Sequence, residues 1–399
     1  WYLVNCFKFY RNIYVYHSNI EKEKKRKKLM KKYLFFLLFS IGLTQENVAD
    51  SIRNISIVST TNVYSEFYDC GCPKNPRGGI ARKAFFTSQV YKGDHIQVDA
   101  GNSLFDSNLI NPDGLSMEQK KYKARNFIKA LEFIKQDIVN IGSNDFKGGV
   151  DFLKEITRDS SVKFISANLY DKSTKKLLFK PYHIVEKDGA KIAFIGLSQS
   201  ARFSTIVNKN FIEEGNRYIN ELKLSVDVIV LLVNVKGNNA IDLSSAFPDA
   251  DHIFLSGNTN RTLPNTIQSK SGPLVYSGDV QGKFLSILFI RIKDDGESLT
   301  DISKDWYRLQ SIQSRLDNLQ SKDKNKSLED IYVNDPNVLQ LIKKWQIEAT
   351  QLGLKLNEVR NFSRFYSVPL EPFYPDDKQV AAFIENIASI YTYAQPISK

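Results

Sequence analysis

Five short apolar runs, each passing directly into a polar turn, constrain this chain more than any other feature. Ile55 to Val58 leads into Thr60-Thr61-Asn62-Val63-Tyr64, and Ile96 to Val98 into Asp99-Ala100-Gly101-Asn102. Ile138-Val139-Asn140-Ile141 meets Gly142-Ser143-Asn144-Asp145-Phe146, and Val228 to Val233 meets Asn234-Val235-Lys236-Gly237. Ile253-Phe254-Leu255 meets Ser256-Gly257-Asn258-Thr259-Asn260. Unbroken β-branched runs of this length suit strands covered on both faces, and ligands of such sheets gather beyond the strand ends. The five turns are therefore expected to converge on one cleft.

Helical spacing fills the intervals. Ala124, Phe127, Ile128, Leu131 and Ile134 follow an i, i+3, i+4, i+7 pattern, which predicts an amphipathic helix covering the sheet. Gly78-Gly79 after Arg77 lacks the spacing and Lys-Ser/Thr ending of a phosphate loop and reads as a turn opening a helix. Residues 274–293 read as closing strands. The last hundred residues begin with a polar stretch, Gln320 to Asp330, and continue as helices. Asp335 is placed to cap a helix with Pro336 in its first turn and Val338, Leu341, Ile342 and Trp345 along one stripe. A second stripe comprises Val380, Phe383, Ile384, Ile387, Ile390 and Tyr391. Both are expected to pack rather than to offer a groove. The aromatic segments Phe362 to Tyr366 and Phe373-Tyr374 receive no assignment.

The order and wording of the turns resemble the calcineurin-like metallophosphoesterases, and most closely their 5'-nucleotidase and UDP-sugar hydrolase branch. The likeness covers about residues 53–293. In that family the turns read D-x-H, G-D, G-N-H-[DE], a lone His followed by Gly, and G-H-x-H. Connecting words match as well: Ser166-Ala167-Asn168-Leu169, Gly189 to Leu197, and Gly278-Asp279-Val280-Gln281-Gly282-Lys283-Phe284. The resemblance implies a four-layer αββα sandwich of two mixed sheets, with a C-terminal helical extension here. The family's second domain, with its aromatic clamp for the nucleobase, is about twice as long as the remaining tail. The expected layout is a sandwich over residues 50–300 and the extension over 301–399.

At the metal-ligand positions the resemblance fails. Asn62 and Tyr64 stand where the first turn would supply Asp and His, and Asn102 replaces the bridging Asp of the second. Ser143 replaces the third turn's Asn ligand and Asn144 its catalytic His, while Asn234, Asn258 and Asn260 replace the remaining His ligands. The family uses two divalent ions, roughly 3.5 to 4 Å apart, held by carboxylates and neutral imidazoles. Amide oxygens carry no net charge and amide nitrogens only donate. At an effective dielectric of ~20, each lost carboxylate forfeits on the order of several kcal/mol with a nearby dication. The sequence thus predicts that no cofactor is to be expected, no metal is bound and no catalytic residue can be assigned, leaving an exported, non-catalytic member that binds a small ligand or protein partner. An active metal-dependent hydrolase of nucleotides or related phosphate or sulfate esters is the alternative, with Asp69, Asp99, Asp145 and the cysteines as the groups nearby that could hold an ion. Asn is also common in turns and at positive φ, so any one of these positions has an ordinary conformational explanation.

Charge argues against a nucleic-acid partner. Of the net +11, eight charges fall within the first 45 residues, where ten Lys or Arg face two Glu. Met30-Lys31-Lys32 followed by the apolar Tyr33 to Leu43 has the form of a secretory signal, too short to span a bilayer. Residues 30–49 are accordingly expected to be a signal peptide, residues 1–29 upstream sequence, and the protein secreted or periplasmic without a stable membrane span.

Cys70 and Cys72, in Asp69-Cys70-Gly71-Cys72-Pro73, lie just after the first turn. A Cys-x-Cys pair is too close for a relaxed bridge but can form a strained, reducible one, so the two are a possible redox element or simply a braced loop. His95, His183 and His252 sit away from the turns and read as core or edge residues.

Overall fold

The computed structural model describes residues 52–106, 115–200, 203–236, 242–266, 268–269, 271–293 and 298–393. The expectations for residues 1–29 and 30–49 lie outside them.

The described strands are β1 Ile52–Thr60, β2 Ile96–Asp99, β3 Ile138–Asn140, β4 Lys163–Ile165, β5 Leu169–Asp171, β6 Tyr182–Lys187 and β7 Ala190–Ser198. They continue with β8 Ile206–Asn208, β9 Val228–Asn234, β10 His252–Ser256, β11 Leu274–Ser277, β12 Phe284–Lys293, β13 Thr300–Asp301 and β14 Phe362–Pro369. One sheet runs β13-β14-β12-β1-β2-β3-β4 and a second β11-β10-β9-β7-β6, while β5 and β8 form a small pair. Both large sheets mix parallel and antiparallel neighbours, since β1 is parallel to β2 but antiparallel to β12, and β7 is parallel to β9 but antiparallel to β6.

Apolar side chains on both faces of each sheet make the layers. Ile55, Ile57, Val98 and Ile138 of the first sheet meet Ile192, Phe194, Val230, Leu232 and Phe254 of the second in one buried cluster. Full burial of each such side chain stabilises the fold by roughly 1.5–3 kcal/mol. Tyr276 stacks on Phe365 across this layer at 4.2 Å. On the outer face of the first sheet lie helix Met117–Phe133, with Ala124, Phe127, Ile128 and Leu131 inward, and helix Lys378–Tyr393, with Val380, Ile384 and Ile387 inward. A capping box between Ser116 and Gln119 starts the former, and Phe383 stacks on Phe133 at 5.7 Å. The side chains of Ile390 and Tyr391 lie outside the described residues. Helix Phe211–Leu222 covers the second sheet, placing Phe211, Tyr218, Ile219 and Leu222 against its outer face. The fold is thus the expected αββα sandwich.

The tail supplies its helices and also a strand. The unassigned aromatic segment is β14, paired antiparallel to β12 from Phe284↔Pro369 to Arg291↔Phe362. Hydrophobic pattern alone gave no hint of it, because its register is set by a partner far away in sequence.

The chain divides into two compact units, of which one holds Ile52–Leu309 with the residues from Thr350 onward and the other Gln310–Ala349. Within the latter, Asp335 Oδ1 accepts the Val338 N–H at 3.1 Å, as the cap predicts, and Ile312 and Ile342 are fully buried. The Arg315 guanidinium lies 5.4 Å over the Trp345 ring. Leu341, expected in the packed stripe, is 40% exposed. No described helix is long and apolar enough to cross a membrane.

Candidate functional site

Parallel pairing brings the polar turns to one rim. Thr60 ends β1 beside Asp99 of β2, and Ser198 of β7, Asn234 of β9 and Ser256 of β10 stand in register in the facing sheet. Beyond these residues the turns interlock through side-chain amides.

Asn62 is the hub and is fully buried. Its Nδ2 donates to the carbonyls of Asn258 at 2.9 Å and Asp279 at 3.1 Å. Its Oδ1 accepts from the Gly257 N–H at 2.8 Å and from Asn102 Nδ2 at 3.2 Å. Asn102 Oδ1 takes the Asn144 N–H at 3.0 Å. Asn234 Oδ1 takes the Ser143 N–H at 2.9 Å, and its Nδ2 donates to Ser256 Oγ at 2.7 Å, which donates in turn to the Ala100 carbonyl at 2.7 Å. Asn258 Oδ1 accepts the Asn260 N–H at 2.8 Å. A backbone N–H can only donate and a carbonyl can only accept, so these partners fix which end of each amide is oxygen.

The backbone supports the same lattice. Asn62 and Asn102 take left-handed φ of 53° and 59°, which short polar side chains tolerate, so the conformational explanation holds for these two positions. Tyr64 and Ser65 follow at 59° and 54°, held by N–H bonds to the carbonyls of Asn102 and Ser103. At Gly142 a Cβ would stand 2.4 Å from the Asn102 nitrogen and 2.5 Å from Asn102 Oδ1, so no larger residue fits against the lattice.

The carboxylates at hand are already engaged. Asp99 accepts from Thr60 Oγ1 at 2.6 Å, Ser103 Oγ at 2.5 Å and the Gly101 N–H at 2.8 Å. Asp145 ties its own turn to the one after β2 by accepting the N–H groups of Asn102 at 3.1 Å, Leu104 at 2.8 Å and Gly142 at 2.8 Å. Burial raises Asp99 and pushes Asp145 up to about 7, despite these donors. Burial, followed by the charges of Asp145, Asp106 and Asp99, pushes the Tyr64 hydroxyl up to about 12, so it stays neutral. Asp69 accepts the Gly71 N–H at 3.0 Å and faces Arg82 at 3.6 Å. These groups serve the turns rather than an ion.

Asn62, Asn102, Ser143, Asn144, Asn234 and Asn258 are thus brought into one lattice, with Tyr64 beside it. Asn260 is exposed and joins through its backbone. Sequence reasoning missed Asn140, whose Nδ2 donates to the carbonyls of Ala100 and Leu197 at 3.0 Å each and so links the two sheets. A polar residue within an otherwise apolar run was its available signal. The Asp279 carbonyl was also missed, and a main-chain acceptor leaves no mark in a side-chain pattern. Cys70 and Cys72 are both free thiols, the first half-buried and the second exposed. His252 is buried in the second sheet, 3.4 Å from the Tyr276 hydroxyl, and His95 holds the Gly93 carbonyl at 2.7 Å.

No protein-family model matches the chain. It is 30% identical over 190 residues to a 5'-nucleotidase of Vibrio cholerae, a stretch that covers 45% of this chain and 33% of that protein. The chain spans about a third of the length of the curated relatives it matches. Among solved structures it is similar to a 5'-nucleotidase precursor from Thermus thermophilus, with TM-score 0.57 and 15% identity over 87% of this chain and 61% of that one. It is also similar to the calcineurin-like phosphoesterase YfkN of Bacillus subtilis, with TM-score 0.58 and 16% identity over 86% and 98% of the two chains.

These likenesses correct one expectation. The sequence left no cofactor to be expected, whereas nucleotidases and a calcineurin-like phosphoesterase are what the chain is similar to, and that family works with divalent metal ions. A divalent metal is therefore what the family implies for this cleft. The donors present do not fit the family's pair of ions: the oxygens of Asn62, Asn102, Asn234 and Asn258 each already accept a backbone N–H. The amide nitrogens of Asn62, Asn102 and Asn234 donate to neighbouring oxygens and have no lone pair to offer a cation. Among the described residues, no group of three or more His, Cys, Asp or Glu could hold a metal ion.

Proposed function

We propose that this chain, which shares the sandwich fold of the calcineurin-like phosphoesterases and is similar in sequence to 5'-nucleotidases, is a non-hydrolytic member of that family that binds a small ligand or protein partner. The observation that carries this reading is the amide lattice, in which four side-chain oxygens at former ligand positions are turned onto backbone N–H groups. Metal-assisted phosphoester hydrolysis needs charged ligands that gather two dications and activate water. Here the same turns hold one another by neutral hydrogen bonds, and the neighbouring carboxylates are spent inside them. The lattice preserves the shape of the cleft without the charge that made it reactive.

The test is turnover of nucleotides and UDP-sugars by the folded protein with Mn²⁺ or Zn²⁺. No release of product above buffer is expected, and turnover abolished by a chelator would overturn the proposal. Export is part of the same reading and is supported by the charged and apolar segments of residues 30–49. Retention of the protein in the cytoplasm with residues 30–49 uncleaved would refute export, and recovery of residues 1–29 from the exported protein would refute their reading as upstream sequence.

A further inference from the structure

A cavity of about 520 Å³ opens beside the amide lattice, and its walls carry both thiols together with Arg77, Arg261 and Lys283. Asp279 joins the two features, since it lines the cavity while its carbonyl receives Asn62 Nδ2. The Phe284 ring is approached by two cations, with the Arg261 guanidinium 4.0 Å and that of Arg77 5.2 Å from its centre. Arg77 is neutralised by Glu371 at 2.6 Å. Arg261 and Lys283 form no ion pair within 4 Å among the described residues, and Asp279 is the lone carboxylate in the wall. The pocket therefore favours an anion and disfavours a soft metal cation, although thiols are present.

The loop that bears the thiols is anchored at its base and open at its tip. Arg82, only 7% exposed, donates to the carbonyls of Pro76 at 2.8 Å, Gly78 at 2.9 Å and Leu370 at 3.2 Å, while the Cys70 N–H donates to the Arg77 carbonyl at 2.8 Å. Between the cysteines, Gly71 takes φ of +63°, and a Cβ placed there would meet nothing within 4 Å. That turn lets residues 70 and 72 both line the cavity. Partial burial works against ionisation of Cys70. Hydrogen bonds from the Cys72 thiol and from the backbone of Arg77 and Cys72, with the charge of Lys283, outweigh it and lower the Cys70 thiol. The Cys72 thiol is raised, chiefly by its hydrogen bond to Cys70. Cys70 is half-buried in the same wall as Lys283, whereas Cys72 is exposed with its Sγ 3.8 Å from the Cys70 carbonyl, so the inner sulfur is placed to attack and the outer one to resolve.

We propose that this pocket is a dithiol site for a small organic disulfide carrying carboxylates. It does not rest on the loss of hydrolysis and stands or falls separately. The Cys70 thiolate attacks one ligand sulfur, forming a mixed disulfide and expelling one thiolate. Cys72 then attacks the Cys70 sulfur, its proton passing to a departing thiolate, and the second ligand half leaves. The dithiol loses two electrons and the ligand gains them. A bridge across one intervening residue is strained and easily reduced, so the exchange is readily reversed.

The experiment uses the full chain carrying Cys6→Ser, treated with dianionic 5,5'-dithiobis(2-nitrobenzoate) or with cationic cystamine. Two thiolates released per chain and a mass loss of two hydrogens are expected, with a single release and a retained adduct in Cys72→Ser. Combining Arg261→Ala with Lys283→Ala is expected to lower the rate with the anionic reagent by about tenfold relative to the rate with cystamine. Unchanged preference between the reagents in that double variant, or two adducts without an internal bridge, would overturn the site. Circular dichroism of each variant separates these outcomes from misfolding.

Discussion

Replacing Asn62 by Asp, the residue type that the family carries there, is expected to destabilise the protein in a pH-dependent way. The Nδ2 of Asn62 sits 2.9 Å from one carbonyl and 3.1 Å from another, and the side chain is fully sealed from water. An aspartate would aim an oxygen at both acceptors. Protonation relieves that conflict by letting one carbonyl receive an O–H bond, while Gly257 and Asn102 continue to donate to the other oxygen. Holding the proton at pH 7 against an ordinary carboxyl value near 3.9 costs about 4 kcal/mol, and the second lost hydrogen bond costs about 1 kcal/mol more. Ionisation with two bound N–H donors is the competing route, so the net loss is expected at about 3–5 kcal/mol at pH 7. The folded carboxyl is raised above its unfolded value, so the penalty shrinks as pH falls from 7 towards 4, leaving about 1–2 kcal/mol. Asn62→Ala also loses the lattice bonds, but with no pH dependence of its own. Urea unfolding of wild type and both variants, followed by circular dichroism at pH 4.5 and 7, reads the difference directly. An Asn62→Asp protein within about 0.5 kcal/mol of wild type at pH 7 would refute the orientation assigned to this amide.

Two further predictions concern buried bases. Burial lowers His252 to about 3, so the unfolded chain takes up a proton below pH 6.5 that the folded chain refuses, and stability is lost as pH falls from 6.5 towards 3. His252→Phe is expected to remove about 2–3 kcal/mol of acid sensitivity between pH 7 and 4.5, and an unchanged slope in denaturant titrations would count against it. Burial likewise lowers Lys83 to about 8, against opposing attraction from Asp99 and Asp137, while its Nζ donates to Gln136 Oε1 at 2.7 Å. The unfolded chain holds more protons between pH 8 and 10.5, so wild-type stability rises with pH across that window. Lys83→Met is expected to abolish the rise and to gain about 2 kcal/mol at pH 7, after allowance for the lost hydrogen bond. Destabilisation at neutral pH would show that the ammonium is better accommodated than its burial implies.

The cleft was legible because strand-end turns are local. An apolar run followed by Gly142-Ser143-Asn144-Asp145 announces its own position, and the helix over Met117–Phe133 announces itself by the spacing of its apolar residues. What each polar residue does there was not legible. Asp99 looked available for an ion until Thr60, from another turn, and Ser103 were found on its oxygens. The Asp279 carbonyl and the link from Asn140 to Leu197 likewise depend on which turns meet, a tertiary matter. The aromatic segment at Phe362 escaped for a related reason. Its burial does not alternate cleanly and it ends in Pro369, so only pairing with β12 identifies it as a strand.

That strand imposes an order on synthesis. β14 lies between β12 and β13 in the first sheet, although both neighbours leave the ribosome some sixty residues or more ahead of it. Until Pro369 has emerged, β12 offers an unsatisfied row of N–H and C=O groups from Phe284 to Arg291. A nascent chain paused before that point carries an open edge able to pair with other chains.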